Sequence, residues 1–194
     1  MGTKGLLLVI SGPSGSGKTS IARAVEKRLG AVFSVSATTR PKLDNERRGR
    51  DYEYLSEEAF EELVDRGALL EHARVYGRHR YGTPREPVQR HLDEGRLVIL
   101  DIDVQGALQV RQAMPDALLV FVMPPSDEEL EHRLRARGRD DEQSIQFRLA
   151  EARREIEVGL HSGAYDEQIV NDDLDRAVDE ACRMAQQRRA AGGA

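Results

Sequence analysis

The stretch GLLLVISGPSGSGKTSIARAVEKRLG, residues 5–30, decides the fold. Its first six residues form a short and almost entirely apolar run, which predicts a buried strand. Apolar residues at positions 21, 22, 25 and 29 have helical spacing, and Gly30 follows as a helix C-cap. Between strand and helix, residues 12–19 match the pattern G-x-x-x-x-G-K-[ST] in full. Strand, glycine-rich loop and helix in this order predict a loop that binds phosphate groups.

Each part of this loop has a chemical task. Glycines let backbone N–H groups converge on phosphate oxygens, and the helix N-terminus adds positive potential. Lys18 is placed for the β- and γ-phosphates of a nucleoside triphosphate, and the Thr19 hydroxyl for Mg²⁺. The predicted phosphate-binding residues are Gly12, Pro13, Ser14, Gly15, Ser16, Gly17, Lys18 and Thr19.

The rest of the chain alternates apolar strands with helices. Strands are predicted at 96–106, 117–125 and 167–171, and helices at 56–66, 84–94, 127–138, 142–158 and 174–189. This alternation predicts an α/β fold with a parallel sheet covered by helices on both faces. Residues 34–90 break the rhythm and are too long for a simple crossover, so we expect an inserted subdomain there. The last residues, 188–194, are expected to fray.

Composition excludes several classes of protein. The chain has 194 residues, 39% of them hydrophobic, and a net charge of −5, which predicts a soluble globular domain without a basic nucleic-acid-binding face. Its apolar runs are too short to span a membrane. The single cysteine, Cys182, excludes an intramolecular disulfide, fits a cytoplasmic location and is expected in the core. The five histidines lack metal-ligand spacing.

Seven segments carry a resemblance to a known family. In chain order they are VISGPSGSGKTS, FSVSATTR, GRDYEYLS, LLEHARVYG, YGTP, ILDIDVQG and IVNDDLD. Together they resemble the successive motifs of guanylate kinase, over about residues 5–180. The resemblance implies a P-loop NTPase core at 1–33 and 96–194, an inserted α+β subdomain that binds GMP at 34–95, and an arginine-rich helical lid at about 133–150. It also implies phosphoryl transfer from ATP to GMP, with Mg²⁺ as cofactor, for guanine nucleotide synthesis and recycling.

The acceptor base has a chemically sensible candidate site. Guanine presents adjacent N–H donors at N1 and N2, which a carboxylate matches in a bidentate way, as it does with arginine. Glu71 is flanked by apolar residues, where a carboxylate would need a partner. The hydroxyls of Ser36 and Thr83 are candidates to donate to guanine O6. The resemblance implies these same roles, and adenine, with an acceptor at N1, would leave Glu71 unsatisfied.

The phosphate of GMP also needs cations and donors. Arg40, Tyr52 and Tyr81 resemble the family's phosphate clamp, in which arginine supplies a planar fork and each tyrosine one donor. The family pattern has a second arginine three residues after the first, and this chain has Leu43 there. The residues that could supply the missing charge are Lys42, Arg47 and Arg48. We interpret Tyr54 and Tyr76 as core residues.

Carboxylates and arginines complete the predicted site. Asp101, at the end of an apolar strand, is placed to hold Mg²⁺ through water together with Thr19, and the resemblance implies that Asp103 lies nearer GMP. In the family, lid arginines neutralise charge on the transferring phosphoryl group. The implied ATP-binding residues outside the loop are Arg133, Arg137 and Asn171, and the candidate catalytic residues are Lys18, Arg40, Arg137 and Arg148. Arg135 and Arg139 fit a solvated helix face equally well.

Two alternatives stay open at this point. The chain could be a kinase of another nucleoside monophosphate, which the set Glu71, Ser36 and Thr83 disfavours. It could also be a non-catalytic guanylate-kinase-like module that binds protein partners, which the intact phosphate loop disfavours. The sequence decides neither between monomer and homo-oligomer nor between GMP and dGMP as the preferred acceptor.

Overall fold

The computed structural model describes residues 4–75, 77–136, 138 and 141–192. Strands and helices alternate along these residues. Their order is β1 (Leu6–Ser11), α1 (Lys18–Leu29), β2 (Val32–Phe33), β3 (Ser36–Thr38), β4 (Tyr52–Tyr54), α2 (Glu57–Asp65), β5 (Leu69–Val75), β6 (His79–Pro84), α3 (Arg85–Asp93), β7 (Leu97–Ile102), α4 (Val104–Ala113), β8 (Leu118–Met123), α5 (Asp127–Ala136), α6 (Glu142–His161), β9 (Glu167–Val170) and α7 (Leu174–Gly192).

Five parallel strands form the central sheet, in the order β2-β7-β1-β8-β9. Every residue of the middle strand β1 is buried, because helices cover both faces of the sheet. Leu8 and Ile10 pack with α1 and α7 on one face, whereas Leu7 and Val9 pack with α3 and α4 on the other. The predicted α/β fold with a covered parallel sheet is therefore confirmed.

A second sheet of four strands lies within residues 36–84, in the order β4-β3-β6-β5. Strands β3 and β4 are parallel, and β6 runs antiparallel to both β3 and β5. This sheet and α2 share a small core in which Ala37, Phe60 and Leu69 are buried. The following helix, α3, packs on the parallel sheet through Val88. The second sheet thus falls inside the segment where the sequence predicts an inserted subdomain.

Helices α5 and α6 share one apolar cluster. Its buried members are Leu130, Leu134, Ile145, Leu149 and Ala152. Both helices start with a polar cap: Ser126 Oγ accepts from the Glu129 N–H at 3.2 Å, and Asp141 Oδ1 from the Ser144 N–H at 2.8 Å. The described residues of the segment predicted as a lid, about 133–150, lie mostly on these two helices.

The predicted strand at 96–106 was wrong at its C-terminal end, and helix α4 was not predicted. The strand ends at Ile102, and Asp103 begins the helix as its N-cap, with Oδ1 accepting from the Gly106 N–H at 2.8 Å. A glycine in the first turn and glutamines along the helix weaken its apolar pattern. Packing of Ala107 and Val110 into the core stabilises it instead.

Among the other local predictions, two helix caps and the burial of Cys182 are confirmed, and the frayed tail is not. Gly30 caps α1 with φ 61°, Ser56 caps α2, and Cys182 is buried, all as predicted. The tail predicted to fray from residue 188 continues the helix α7 to Gly192. No helix among the described residues combines the length and apolar character that crossing a bilayer requires.

Candidate active site

The phosphate loop joins the buried strand β1 to helix α1. Gly17 has φ 89°, and a Cβ there would lie 2.2 Å from Asn171 Nδ2, so the position requires glycine. The N-terminus of α1 has no side-chain cap, which leaves its first N–H groups for phosphate oxygens. Lys18 Nζ reaches back to the carbonyl of Pro13 at 3.3 Å. Residues 12–19 therefore form a glycine-rich loop in front of a helix N-terminus, a geometry suited to an anion.

Two residues predicted to bind ATP pack against the backbone of this loop. Asn171, which is 5% exposed, donates from Nδ2 to the Ser16 carbonyl at 2.8 Å. Arg133 donates to the Ser16 carbonyl at 3.4 Å and to the Asn171 carbonyl at 2.9 Å, and pairs with Glu129 at 2.7 Å. These contacts brace the loop from the side of β9 and α5, a role that the sequence did not indicate.

A site suited to a magnesium ion lies beside the loop. Thr19 Oγ1 donates to Asp101 Oδ2 at 2.5 Å, so the two predicted metal-binding residues meet. The other carboxylate oxygen, Asp101 Oδ1, is buried and has no hydrogen-bond partner among the described residues. The described residues contain no group of three or more His, Cys, Asp or Glu side chains that could hold a metal. Magnesium is usually held by one or two carboxylates plus phosphate oxygens and water, which this oxygen set fits.

Glu71 and Thr83 form a buried pair on neighbouring strands. They face each other across β5 and β6, and Thr83 Oγ1 donates to Glu71 Oε1 at 2.6 Å. Glu71 is only 4% exposed, and burial raises the pKa of its carboxyl to about 7, with the hydrogen bond from Thr83 acting in the opposite direction. A buried carboxylate with one oxygen held by a hydroxyl can accept two N–H donors from a planar base.

The first turn of α4 closes one side of this pair. A Cβ on Gly106 would lie 2.5 Å from Glu71 Oε2, so the bare backbone of the helix touches the carboxylate. Asp103, the cap of the same helix, is close enough to raise the pKa of Glu71 further, and burial raises its own pKa. Ser36 lies half-buried at the start of β3, opposite Tyr52 of β4.

The three predicted clamp residues also come together. Arg40 donates from Nε to the Tyr81 hydroxyl at 3.1 Å, and its Cζ lies 5.3 Å from the centroid of the Tyr52 ring. The Tyr52 and Tyr81 rings are 5.7 Å apart in an edge-to-face arrangement. Sequence reasoning missed Glu46, whose Oε1 accepts from Arg40 Nη2 at 2.6 Å. Arg40 and the hydroxyl groups around it form a polar surface suited to a phosphate.

Position 43, where the family pattern has a second arginine, offers only its backbone to this cluster. The Leu43 side chain is 45% exposed, and its N–H donates to Glu46 Oε2 at 2.9 Å. Lys42 Nζ donates to the carbonyls of Leu43 and Glu46 at 3.0 and 3.1 Å. Arg48 points elsewhere, to Glu53 at 3.1 Å.

The two tyrosines interpreted as core have different outcomes. Tyr54 is not core filler, because its hydroxyl donates to Glu46 Oε2 at 2.9 Å. Tyr76 lies outside the residues that the structure describes.

The structure describes some of the arginines that were predicted to belong to a lid and not others. Arg137 and Arg139 lie outside the described residues, and Arg148 is half-buried on α6. Arg135 pairs with Glu131 and Glu142 at 2.7 and 2.6 Å on the solvent side.

A further acid, Glu155 on α6, was missed in the sequence. Burial raises the pKa of its carboxyl to about 7, while Lys18 and a hydrogen bond from the Ser14 N–H act against the rise. Glu155 is thus a point where α6 meets the phosphate loop, a contact between distant residues that local sequence patterns do not signal.

Comparisons with known proteins agree with this geometry. The family model for guanylate kinase matches residues 4–188. A guanylate kinase of Alkalilimnicola ehrlichii is 49% identical over 175 residues, 90% of this chain and 84% of the relative. One of Gloeobacter violaceus is 50% identical over 179 residues, 92% of this chain and 85% of the relative. A crystal structure of guanylate kinase from Anaplasma phagocytophilum is 34% identical, with a TM-score of 0.76, and the match covers 96% of this chain and 87% of that one.

The match extends over nearly the whole chain, and includes both the phosphate loop and the sheet that carries Glu71. The expectation drawn from the seven motifs is therefore confirmed: the chain belongs to the guanylate kinase family, P-loop enzymes that transfer a phosphoryl group from ATP to GMP.

Proposed function

We propose that this chain catalyses ATP + GMP ⇌ ADP + GDP through the residues assigned above, and that dGMP is a second acceptor. The observation that carries the proposal is the buried pair of Glu71 and Thr83, which presents an oxygen acceptor where guanine would offer two N–H donors. None of the roles assigned to Glu71, Thr83 or Ser36 involves the ribose 2′-hydroxyl, which supports dGMP as an acceptor.

The proposed reaction is an in-line displacement. A phosphate oxygen of GMP attacks the γ-phosphorus of ATP, the bond from that phosphorus to the β–γ bridging oxygen breaks, and ADP leaves. Two anionic nucleotides must be held with these atoms aligned, so positioning and charge neutralisation supply most of the rate. Lys18 and the N–H groups of the loop bind the donor phosphates, and Arg40 with Tyr52 and Tyr81 binds the acceptor phosphate.

Thr19 and Asp101 are the residues proposed to hold Mg²⁺, Asp101 through water. Bound there, the ion would neutralise charge on the phosphates of ATP. The support is the contact between their oxygens and the buried Asp101 Oδ1, which has no partner in the part of the chain that the structure describes. Arg133, Arg137, Asn171 and Arg148 are proposed to act on ATP and on the transferring group, with Asp103 on the GMP side.

Closure of the enzyme is also part of the proposal. We assign residues 1–33 and 96–194 to the core, with the lid at about 133–150, and 34–95 to the GMP-binding subdomain. Closure of subdomain and lid would exclude water, which otherwise competes for the phosphoryl group. Small-angle scattering should then show compaction when both nucleotides saturate the protein. A cytoplasmic location stays a prediction, supported by the single free cysteine.

The deciding experiment is a coupled ADP assay on wild type and on Lys18→Ala. Wild type should turn over ATP in the presence of GMP, and the variant should lose nearly all of that activity, because its donor phosphates lose their cation. Unchanged turnover in the variant refutes the proposal. A panel of GMP, AMP, CMP and UMP tests the acceptor, and preference for AMP over GMP refutes the role of Glu71.

A further inference from the structure

Glu46 is the most heavily hydrogen-bonded carboxylate in the loop that carries Arg40. Its Oε1 accepts from Arg40 Nη2 at 2.6 Å, and its Oε2 accepts from the Leu43 N–H and the Tyr54 hydroxyl, both at 2.9 Å. The side chain is only 16% exposed. Burial opposes ionisation, but these three donors outweigh it and hold the pKa of Glu46 at about 2. Glu46 is therefore a fixed anion at neutral pH.

The contacts of Arg40 leave part of its guanidinium for a ligand. Arginine has five N–H donors in one plane. In Arg40, Nε donates to the Tyr81 hydroxyl at 3.1 Å, Nη1 to the Pro41 carbonyl at 2.8 Å and Nη2 to Glu46. These three bonds fix the plane and rotation of the group, and within the described part of the chain its other two N–H donors have no hydrogen-bond partner. A phosphate can bind them without displacing Glu46.

We propose that Glu46 is a positioning residue for the acceptor phosphate: it locks the Arg40 fork in the orientation that binds GMP. The proposal rests on the proposed function and adds a residue to it. The orientation of Arg40 matters more in this chain because Leu43 occupies the position where the family pattern has a second arginine. No arginine at that position shares the binding of the phosphate with Arg40. Tyr54 and the Leu43 N–H act through Glu46, and Lys42 tethers the same loop at the Glu46 carbonyl.

A rival role for Glu46 predicts the opposite sign. A carboxylate that occupied the phosphate's place on Arg40 would compete with GMP, and its removal would strengthen GMP binding. A positioning carboxylate, when removed, frees Arg40 to rotate and weakens GMP binding. The direction of change in the KM for GMP therefore separates the two roles.

The experiment compares Glu46→Ala and Glu46→Gln with Glu53→Gln as control. Glu53 lies on the neighbouring strand β4 and makes an exposed ion pair with Arg48. We expect the KM for GMP to rise about ten- to hundredfold in Glu46→Ala, since a charged hydrogen bond is lost, and less in Glu46→Gln, which keeps an acceptor. The KM for ATP should stay within about twofold, and the control should behave as wild type.

Binding of guanosine distinguishes a role of Glu46 at the phosphate from a merely structural role. Guanosine has the base but no phosphate, so its Kd, measured by calorimetry, should be unchanged in Glu46→Ala while the Kd for GMP rises. Equal weakening of both ligands, or a lower KM for GMP, overturns the proposal. Absence of GMP-dependent turnover in wild type would instead refute the proposed function, and the ratio of GMP to guanosine binding would still test Glu46.

Discussion

Replacing Gly106 with alanine places a methyl group against the carboxylate of Glu71. The added Cβ would lie 2.5 Å from Glu71 Oε2, 3.1 Å from its Cδ and 3.3 Å from Ile102 Cδ1. Non-bonded atoms prefer separations of roughly 3.5 Å, so either α4 or the carboxylate must move by about 1 Å. Glu71 has little room, because it is 4% exposed and Thr83 holds its other oxygen at 2.6 Å.

The size of the effect follows from what the carboxylate is proposed to do. A bidentate hydrogen-bonded pair with a base contributes about 1–3 kcal/mol of discrimination. A displacement of about 1 Å disrupts such a pair, so we expect the KM for GMP to rise roughly ten- to hundredfold. Alanine is a better helix former than glycine by about 0.5–1 kcal/mol, which offsets part of the strain of this contact, and a matched variant controls for the loss of stability that remains.

The assay measures the KM for GMP and for ATP by coupled ADP release, with Gly159→Ala as matched control. A Cβ on Gly159, in helix α6, would lie 2.3 Å from the Phe121 ring, an equally close contact in which Glu71 takes no part. The control should lower thermal stability and leave the KM for GMP within about twofold. The reasoning is refuted if Gly106→Ala keeps the wild-type KM for GMP, or if the control raises that KM equally.

The remaining predictions concern charge. Because the pKa of Glu71 is raised to about 7, the KM for GMP should fall as pH rises through about 7, and kinetics from pH 6 to 8 would contradict this if the KM were flat. Between about pH 4.5 and 7 the Glu71 carboxyl is protonated in the folded protein but ionised in the unfolded chain. Without GMP, the free energy of unfolding should therefore fall as pH rises over that window, by on the order of 3 kcal/mol in total. Urea unfolding at the two ends of this pH window, on wild type and on Glu71→Gln, measures the loss of stability. If the free energy of unfolding depends on pH in the same way in both proteins, Glu71 is not its cause. Asp101→Asn should raise the Mg²⁺ concentration needed for half-maximal rate at least tenfold, and an unchanged Mg²⁺ titration removes Asp101 from the metal site.

The sequence predicted what depends on local patterns. The loop at 12–19, the cap at Ser56 and the cap at Gly30 are short-range features, and each lies where its residues indicate. The clamp residues and the pair of Glu71 and Thr83 could be named only through the resemblance, because they are brought together by pairing between strands β3, β4, β5 and β6.

What the sequence did not predict depends on contacts between distant residues. Helix α4 has a weak apolar pattern and is stabilised by packing on the sheet. Glu46 stands in a charged loop segment, in which a glutamate is an ordinary surface residue. Its contacts with Arg40, Leu43 and Tyr54 form only when the loop is folded. Glu155 is four turns into a charged helix, and its contact with Ser14 requires α6 to return to the phosphate loop.

The segment 101–106 links the two halves of the proposed reaction. Asp101 contacts Thr19 beside the phosphate loop, and five residues later Gly106 touches Glu71 in the acceptor pocket. Three residues further on, the Gln109 amide holds the backbone of His72, next to Glu71, with bonds of 3.1 and 2.8 Å. Strand β5 is thus fastened to the core through α4. Because Tyr81 of the phosphate clamp and Thr83 of the guanine pocket lie two residues apart on β6, the proposed closure would move the clamp and the pocket together, and the contact between α4 and β5 would be where that motion meets the core.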